Sequence, residues 1–277
     1  MARVAVVTGS NKGIGLACIR ALCKQLKPDD VVYLTARNPE LGKKAVADLE
    51  KEGLKPRFHQ LDISNKASVE ALRDHLKKEH GGLDILINNA AIAFKSKDPA
   101  PFSEQAKVTN GVNYFDNAQA YHILSPLLRP NARVVNVCSF VAVMTWGKMG
   151  DDLKEQFRKL ATEEELNTIV NKFIDLAAKD EHTKHGFPGT AYGFSKVALS
   201  AFTRLQDRIF EKDTARPGIA VFAADPGWVV TDMSSGSGKK NVDEGADTLV
   251  WLAMRPEGDL EGRGEMYSDR KLNKVFL

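Results

Sequence analysis

The sequence predicts an α/β fold in which a parallel β-sheet is covered by helices on both faces. Short β-branched segments alternate with segments of helical periodicity from the first residues onward, which is the pattern of such a sheet. The predicted strands are residues 4–8, 31–35, 57–61, 83–87, 133–137 and 218–224, and a weaker seventh candidate is 265–268. Strand 83–87 is almost continuously apolar, as expected of a strand buried on both faces.

The predicted helices lie between these strands and have recognisable ends. The first covers 15–26 and stops before Pro28, and the second begins at Asn38-Pro39 and stops near Gly53. The third covers 64–80 and is broken by Gly81-Gly82. A long fourth helix is expected to end just before Pro130.

The 52 residues from 140 to 191 are too many for a simple strand-to-helix connection. Within them, Thr162 and Glu165 form a predicted capping box. Apolar residues then recur on one helical face, namely Leu166, Ile169, Val170, Phe173 and Ile174. We therefore expect one domain, residues 1–277, with a helical insertion at about 140–190.

Composition and charge exclude several classes of protein. Hydrophobic content of 43% and charged content of 27% are typical of a globular protein, and no run approaches the roughly 18 apolar residues of a membrane span. The net charge of +3 is spread along the chain, so we expect no nucleic-acid partner. Three cysteines (Cys18, Cys23 and Cys138) without paired spacing indicate neither disulfides nor a metal site, and predict a cytoplasmic location.

A glycine-rich turn joins the first predicted strand to the first predicted helix. Its three glycines allow a tight turn and bring a pyrophosphate to the positive end of the helix. This context is what a dinucleotide site of the Rossmann type requires, and an ordinary glycine-rich turn is the alternative. The residues expected to contact the cofactor here are Gly9, Asn11, Lys12, Gly13, Ile14 and Gly15.

The end of the second strand indicates NADPH as the cofactor. An NAD site would place an acid there for the ribose 2′-hydroxyl, whereas this chain has Ala36-Arg37. Lys12 and Arg37 together offer two cations for a 2′-phosphate. A solvated Arg37 without a role is the alternative.

Tyr192 and Lys196 are four residues apart, so both project from one face of a helix. A phenol can protonate a carbonyl oxygen as it becomes negative, and we expect the lysine to lower the phenol pKa from about 10 by roughly one to three units. Ser139 follows the fifth strand at the same sheet edge, where its hydroxyl can hold the substrate oxygen. Taken singly, each residue also has a packing or surface explanation.

The glycine spacing and the Tyr-x-x-x-Lys pattern resemble the short-chain dehydrogenase/reductase family. In that family Asn, Ser, Tyr and Lys form a catalytic tetrad, and Asn113, Ser139, Tyr192 and Lys196 match it in order and context. The asparagine typically kinks its helix and holds a water that relays protons to the lysine. The resemblance implies hydride transfer from the nicotinamide and proton donation from Tyr192.

The resemblance also implies contacts farther along the chain. Asp62 and Ile63 would flank the adenine, Asn89 and Ala90 the adenosine ribose, and Trp228 would form a wall of the substrate pocket. The remaining implied cofactor contacts are Tyr192, Lys196 and the nicotinamide turn, with Pro226, Gly227, Val229 and Thr231. Taken alone, Asp62 is equally readable as a helix cap, and Trp228 as a core aromatic.

The insertion narrows the resemblance to the monomeric carbonyl reductases, whose NADPH-dependent reaction converts ketones, aldehydes and quinones to alcohols. It implies a monomer with a small-molecule carbonyl substrate and no membrane partner. Alternatives are an alcohol dehydrogenase or specialised metabolite reductase on the same scaffold, or a catalytically silent NADPH-binding regulatory protein. The chain departs from the pattern at Ala91, usually glycine, and at Asp225, a cysteine in some relatives. We expect Asp225 to disfavour anionic carbonyls.

Overall fold

The computed structural model describes residues 2–95, 97–273 and 275–276, and its strands form one sheet. The strands are β1 (Val4–Val7), β2 (Val31–Ala36), β3 (Arg57–Gln60), β4 (Leu83–Asn88), β5 (Leu128–Val137), β6 (Ala220–Asp225), β7 (Met266–Ser268) and β8 (Lys271–Asn273). Their order is β3-β2-β1-β4-β5-β6-β7-β8, and every pair is parallel except β7 with β8. The predicted parallel sheet is confirmed.

Helices cover both faces of this sheet. They are α1 (Gly13–Gln25), α2 (Pro39–Lys51), α3 (Lys66–His80), α4 (Phe102–Asn110), α5 (Asn117–Leu124), α6 (Val141–Gly147), α7 (Asp151–Lys159), α8 (Glu163–Ala178), α9 (Ala191–Glu211) and α10 (Val242–Ala253). One apolar core lies between the sheet and α1, α2 and α10. The second lies on the opposite face, beneath α3, α4, α5 and α9. The fold is therefore doubly wound, as predicted.

The predicted start of β5 is wrong. β5 begins at Leu128, which pairs with Leu83 of β4; a register shift follows, with a φ of 64° at Asn131, before Arg133 pairs with Ile85. The predicted long helix ending before Pro130 is confirmed as a continuous run of α4, a π-helical segment Gly111–Asp116, α5 and a 3₁₀ turn Ser125–Leu127. The exposed strand β8 was not predicted, because three polar-flanked residues carry no periodic signal.

The insertion folds as α6, α7, α8 and a 3₁₀ turn, His182–His185. The capping box is confirmed, since Thr162 Oγ1 accepts the Glu165 N–H at 3.2 Å and the Glu165 carboxylate accepts the Thr162 N–H at 3.2 Å. α8 packs against α4 and α9, with the rings of Phe173 and Phe194 4.2 Å apart. The insertion therefore covers the outer sides of these two helices.

Of the helices in the described parts of the chain, none has the combined length and apolarity needed to cross a lipid bilayer.

Candidate active site

The carboxyl ends of the parallel strands bring most of the expected site residues to one edge of the sheet. Thr8 follows β1, Arg37 follows β2, and Ser139 lies two residues beyond β5. Asn88 and Asp225 are the last residues of β4 and β6. In doubly wound sheets this edge is where ligands bind, so the site can be built outward from it.

The glycine turn between β1 and α1 is closed to side chains. Gly13 has a φ of +57°, and a Cβ on Gly15 would lie 2.6 Å from Nδ2 of Asn89 and 2.9 Å from the Gly9 carbonyl oxygen. The side chain of Lys12, which immediately precedes α1, does not cap the helix. The first amides of α1 therefore remain available to an anion at the helix N-terminus.

Asn89 and Thr8 brace this turn from the neighbouring strand. Asn89 Nδ2 donates to the carbonyls of Thr8 (2.9 Å) and Gly9 (3.0 Å). In return, Thr8 Oγ1 accepts the backbone N–H groups of Asn89 and Ala90, both at 2.9 Å. Ala91 does not adopt a positive φ, so an alanine fits this position without backbone strain.

The two expected phosphate-binding cations are in different situations. The Arg37 side chain is exposed and makes no hydrogen bond or ion pair with residues 2–95, 97–273 or 275–276. Lys12 Nζ lies 2.6 Å from Oδ2 of Asp232, in the loop after β6, and this ion pair lowers the pKa of Asp232. Arg37 is thus available to a phosphate, whereas Lys12 is shared with an acid that sequence reasoning missed.

Asp62 and Ile63 follow β3, and Ile63 is buried. Asp62 Oδ1 accepts the Ser64 N–H at 3.1 Å, but the residue that caps α3 is Asn65, whose side chain accepts the Ser68 N–H. The helix-cap explanation for Asp62 is therefore wrong, although its side chain does stabilise the preceding turn.

Asn113 lies in the π-helical segment between α4 and α5 and is completely buried. Its Oδ1 accepts the Ile92 N–H at 2.8 Å, and its Nδ2 donates to the Ile92 carbonyl (2.9 Å) and to Ser195 Oγ (3.1 Å). Asn113 thereby ties the segment after β4 to α9. The helix departs from α-geometry here, as the resemblance implies, and the relay water remains a prediction.

Tyr192 and Lys196 lie in the first turns of α9, which Thr190 caps by accepting the Gly193 N–H at 3.1 Å. Lys196 is only 2% exposed, and its Nζ donates to the Val137 carbonyl at 2.7 Å and lies 5.6 Å from the centre of the Tyr192 ring. Tyr192 is partly exposed. The ammonium and the phenol are therefore neighbours at the end of β5.

Burial dominates the electrostatics of this pair. It raises the pKa of Tyr192 above its ordinary value; Cys138 and Asp225 add to the rise, and a hydrogen bond with Ser139 opposes it. Burial also lowers the pKa of Lys196, and Cys138 and Asp225 oppose that shift. The expected net lowering of the phenol pKa below its ordinary value is therefore wrong for this structure, in which burial decides the direction of the shift.

Apolar side chains stand exposed on the two segments that leave β5 and β6. Phe140 and Met144 follow Ser139, and Trp228, Val230 and Met233 follow the Pro226-Gly227 turn. Trp228 is 55% exposed, so its interpretation as a core aromatic is wrong. These two segments flank Ser139 and the Asp225 end of β6.

The turn after β6 also approaches the glycine turn. Gly227 has a φ of +78°, Val229 is buried, and the Thr231 methyl lies 3.7 Å from where a Gly13 Cβ would be. Asp225, before this turn, is only 5% exposed and its carboxylate is bonded within the protein, so it does not face the exposed apolar segments. Its expected effect on anionic substrates remains a prediction.

Comparisons with known proteins agree with this arrangement. The family model described as short chain dehydrogenase matches residues 3–150. The chain is 45% identical to carbonyl reductase (NADPH) 1 of Homo sapiens over 98% of both chains, and 44% identical to carbonyl reductase (NADPH) 3 of Rattus norvegicus over 97% of this chain and 96% of that protein.

Among solved structures, salutaridine reductase from Papaver somniferum superposes with a TM-score of 0.84 at 28% identity, covering 96% of this chain and 99% of that one. The similarity to this structure and to the two relatives extends through α9 and the turn after β6, beyond the matched family model. This chain belongs to the short-chain dehydrogenase family.

Proposed function

We propose that this protein is an NADPH-dependent reductase that converts ketones, aldehydes and quinones to alcohols. The observation that carries the proposal is the pairing of a partly exposed phenol, Tyr192, with a buried ammonium, Lys196, at the sheet edge that also holds the glycine turn. Relatives named carbonyl reductase (NADPH), 44–45% identical over nearly the whole chain, support the same assignment.

The residues present fit a dinucleotide phosphate. The closed glycine turn leaves helix amides for a pyrophosphate, and the exposed guanidinium of Arg37 suits the 2′-phosphate that distinguishes NADPH from NADH. We assign cofactor contacts to Gly9, Asn11, Lys12, Gly13, Ile14, Gly15, Arg37, Asp62, Ile63, Asn89, Ala90, Tyr192, Lys196, Pro226, Gly227, Val229 and Thr231. When bound, a reduced nicotinamide supplies hydride to the carbonyl carbon.

The chain itself supplies the proton and the electrostatic support. Tyr192 donates its phenolic proton to the substrate oxygen as that oxygen gains negative charge, and the Ser139 hydroxyl donates a hydrogen bond to the same oxygen. A raised phenol pKa keeps Tyr192 protonated and ready to donate near neutral pH. Lys196 then stabilises the phenolate left behind, because an opposite charge at roughly 4–6 Å is worth about one to three pKa units.

Asn113 acts on the site by position. Through Ile92 and Ser195 it holds the segment after β4 against the first turns of α9, where Tyr192 and Lys196 reside. The proposed catalytic group is thus Tyr192, Lys196 and Ser139, with Asn113 fixing the helix that carries Tyr192 and Lys196. Trp228, together with Ser139 and Tyr192, is assigned to the substrate, and the exposed apolar residues nearby favour an apolar carbonyl compound.

The chain is proposed to form one domain and to act as a monomer in the cytoplasm. α8 packs on α4 and α9, and the resemblance implies that many members of the family pair through a surface that such an insertion covers. The cysteines are free, with Cys18 and Cys138 buried, as suits a reducing compartment.

A screen of NADPH oxidation over quinones, aromatic aldehydes, keto steroids and isatin-like diketones, repeated with NADH, tests the proposal. We expect turnover with NADPH on several of these compounds and much slower turnover with NADH. Binding of NADPH without oxidation by any carbonyl compound would instead indicate a silent regulatory protein.

A reductase of specialised metabolites is a second candidate, favoured by the structural similarity to salutaridine reductase. It predicts that bulky polycyclic ketones react faster than quinones and simple aldehydes. An alcohol dehydrogenase would be recognised by faster oxidation of alcohols with NADP than reduction of the matching ketones at neutral pH.

A further inference from the structure

Asp225 is a buried acid within the catalytic end of the sheet. Its Oδ1 accepts the Gly227 N–H at 3.0 Å, and its Oδ2 accepts the Ser268 hydroxyl of β7 at 2.9 Å. Both carboxylate oxygens are therefore held by hydrogen bonds within the protein. The site thus contains a buried acidic side chain that the proposed proton transfer does not itself use.

The register of the sheet directs Asp225 towards α9. Val137 pairs with Ala224, and both belong to the core on the α1 and α10 face. Since side chains alternate along a strand, the next residues, Cys138 and Asp225, face the opposite side. Cys138 does so, because its Sγ lies 2.8 Å from Ser200 Oγ and 3.2 Å from the Lys196 carbonyl oxygen on α9.

Lys196 needs a negative charge at this place. Its ammonium is buried and donates to the neutral carbonyl of Val137, the residue paired with the neighbour of Asp225. A buried ammonium without a compensating charge is strongly disfavoured. The register places the Asp225 carboxylate on the face of the sheet that carries Lys196. There Cys138 and Asp225 oppose the lowering of the Lys196 pKa by burial, and they add to the rise of the Tyr192 pKa.

The other charged and titratable groups around Asp225 do not replace it. Cys138 on β5 is a buried thiol whose pKa is raised, chiefly by burial, so it is neutral at ordinary pH. On the side of the turn and β7, Lys240 lies beside Gly227 and is paired with Asp269, and this pair is more exposed.

We propose that Asp225 is a positioning residue that holds the Pro226-Gly227 turn and places a compensating carboxylate on the side of the sheet where the Lys196 ammonium is buried. The inference deepens the proposed reductase function and rests on it for its kinetic part.

The sign of the effect follows from the charge. Without the carboxylate, the ammonium loses an attraction and the phenolate loses a repulsion, so Lys196 and Tyr192 both release protons at lower pH. Carbonyl reduction needs the protonated phenol, so the pH at which its rate falls on the alkaline side becomes lower. Alcohol oxidation needs the phenolate as base, so the pH at which its rate rises from the acidic side becomes lower as well.

The test compares Asp225→Asn and Asp225→Cys with Ser268→Ala, which removes a hydrogen bond but keeps the charge. For each variant, kcat/KM is measured against pH for carbonyl reduction and for alcohol oxidation. In the two Asp225 variants we expect both pH profiles to shift to lower pH by about one unit or more. On the alkaline side of its profile, kcat/KM for carbonyl reduction should then be about tenfold lower than in the unmodified protein. Ser268→Ala should shift the two pH profiles much less.

The KM for NADPH should change less than threefold in Asp225→Asn, since its amide oxygen still accepts the Gly227 N–H.

A second measurement does not depend on activity. In protein labelled with ¹³C-lysine, the Lys196 side-chain signal, assigned with Lys196→Arg, should titrate at lower pH in both Asp225 variants than in the unmodified protein. Unchanged titration and unchanged pH profiles in folded Asp225→Asn and Asp225→Cys would overturn the inference. If no carbonyl compound is reduced by the unmodified protein, the reductase proposal fails, while the lysine titration still decides the role of Asp225.

Discussion

The nucleotide end and the catalytic end of this site are built in different ways. The nucleotide end consists of a backbone turn and exposed cations, Lys12 and Arg37, which reach into solvent. The catalytic end consists of buried polar groups from distant segments, such as Asn113, Lys196 and Asp225. The difference indicates that changes at the catalytic end should affect both stability and chemistry, whereas changes to the exposed cations of the nucleotide end should affect cofactor choice alone.

Asn113→Ala should have the largest effect on stability. It leaves the Ile92 backbone groups and the Ser195 hydroxyl without their partner in a buried place, and we expect a loss of about 2–4 kcal/mol in the free energy of unfolding. Urea denaturation measures this loss. Asn171→Ala, at an exposed position of α8, is the matched control and should cost about 0.5 kcal/mol or less. If the two variants had equal free energies of unfolding, the claim that the buried polar groups of the catalytic end stabilise the fold would be wrong.

Arg37→Ala should come next, with an effect on cofactor choice and none on stability. We expect the KM for NADPH to rise roughly tenfold with little change for NADH, because a charged hydrogen bond to phosphate is worth about 1.5 kcal/mol or more. The difference should shrink at high salt, since the side chain is exposed. Lys44→Ala removes an exposed cation of α2 and should leave both KM values unchanged. A parallel rise for NADPH and NADH would refute the 2′-phosphate assignment.

The smallest expected effect lies outside both ends, in a histidine cluster. The Tyr33 hydroxyl lies 2.9 Å from His75 Nε2 and 2.8 Å from His80 Nε2, and the His59 and His75 rings are 4.9 Å apart. Burial lowers the pKa of His59 and of His80. A lowered histidine pKa contributes stability above the unfolded value of about 6.5, which is lost as pH falls through the folded value.

Thermal unfolding between pH 5 and pH 8 checks this prediction. The melting temperature should fall modestly on acidification, and His59→Gln should flatten that dependence. His122 works in the opposite direction, because its bond to Glu163 raises its pKa and contributes stability that is lost as pH rises through the folded value. Glu163→Gln is therefore needed as a second variant. It should make the melting temperature fall more steeply as the pH is lowered. If the melting temperatures of His59→Gln and the unmodified protein differed by the same amount at every pH, the histidine cluster would not be the source of the pH dependence.

The two ends also differ in how far the sequence predicts them. The glycine turn and the Tyr192–Lys196 spacing are local patterns, and the structure places these residues at one sheet edge as expected. The pairs Lys12 with Asp232 and Asn113 with Ser195 join residues 220 and 82 positions apart, and no local pattern signals them. Such contacts depend on the order of the strands in the sheet, and that order is seen only in the folded structure.

The remaining errors concern residues whose surroundings differ from what the local sequence indicates. The pattern around Tyr192 shows the neighbouring ammonium but not the desolvation of the phenol, so the direction of its pKa shift was predicted wrongly. Pro130 indicates a break, yet Asn131 adopts a left-handed conformation that lets β5 begin before it. In both cases the surroundings of a residue outweigh its local preference.

The central claim is that the Tyr192 hydroxyl protonates the substrate, and Tyr192→Phe tests it most directly. The variant keeps the ring beside Lys196 and removes the proton. With NADPH binding measured by cofactor fluorescence, we expect affinity within about threefold of the unmodified protein and kcat for carbonyl reduction lowered by about 10² to 10⁴. Full kcat in a variant that still binds NADPH would contradict the mechanism.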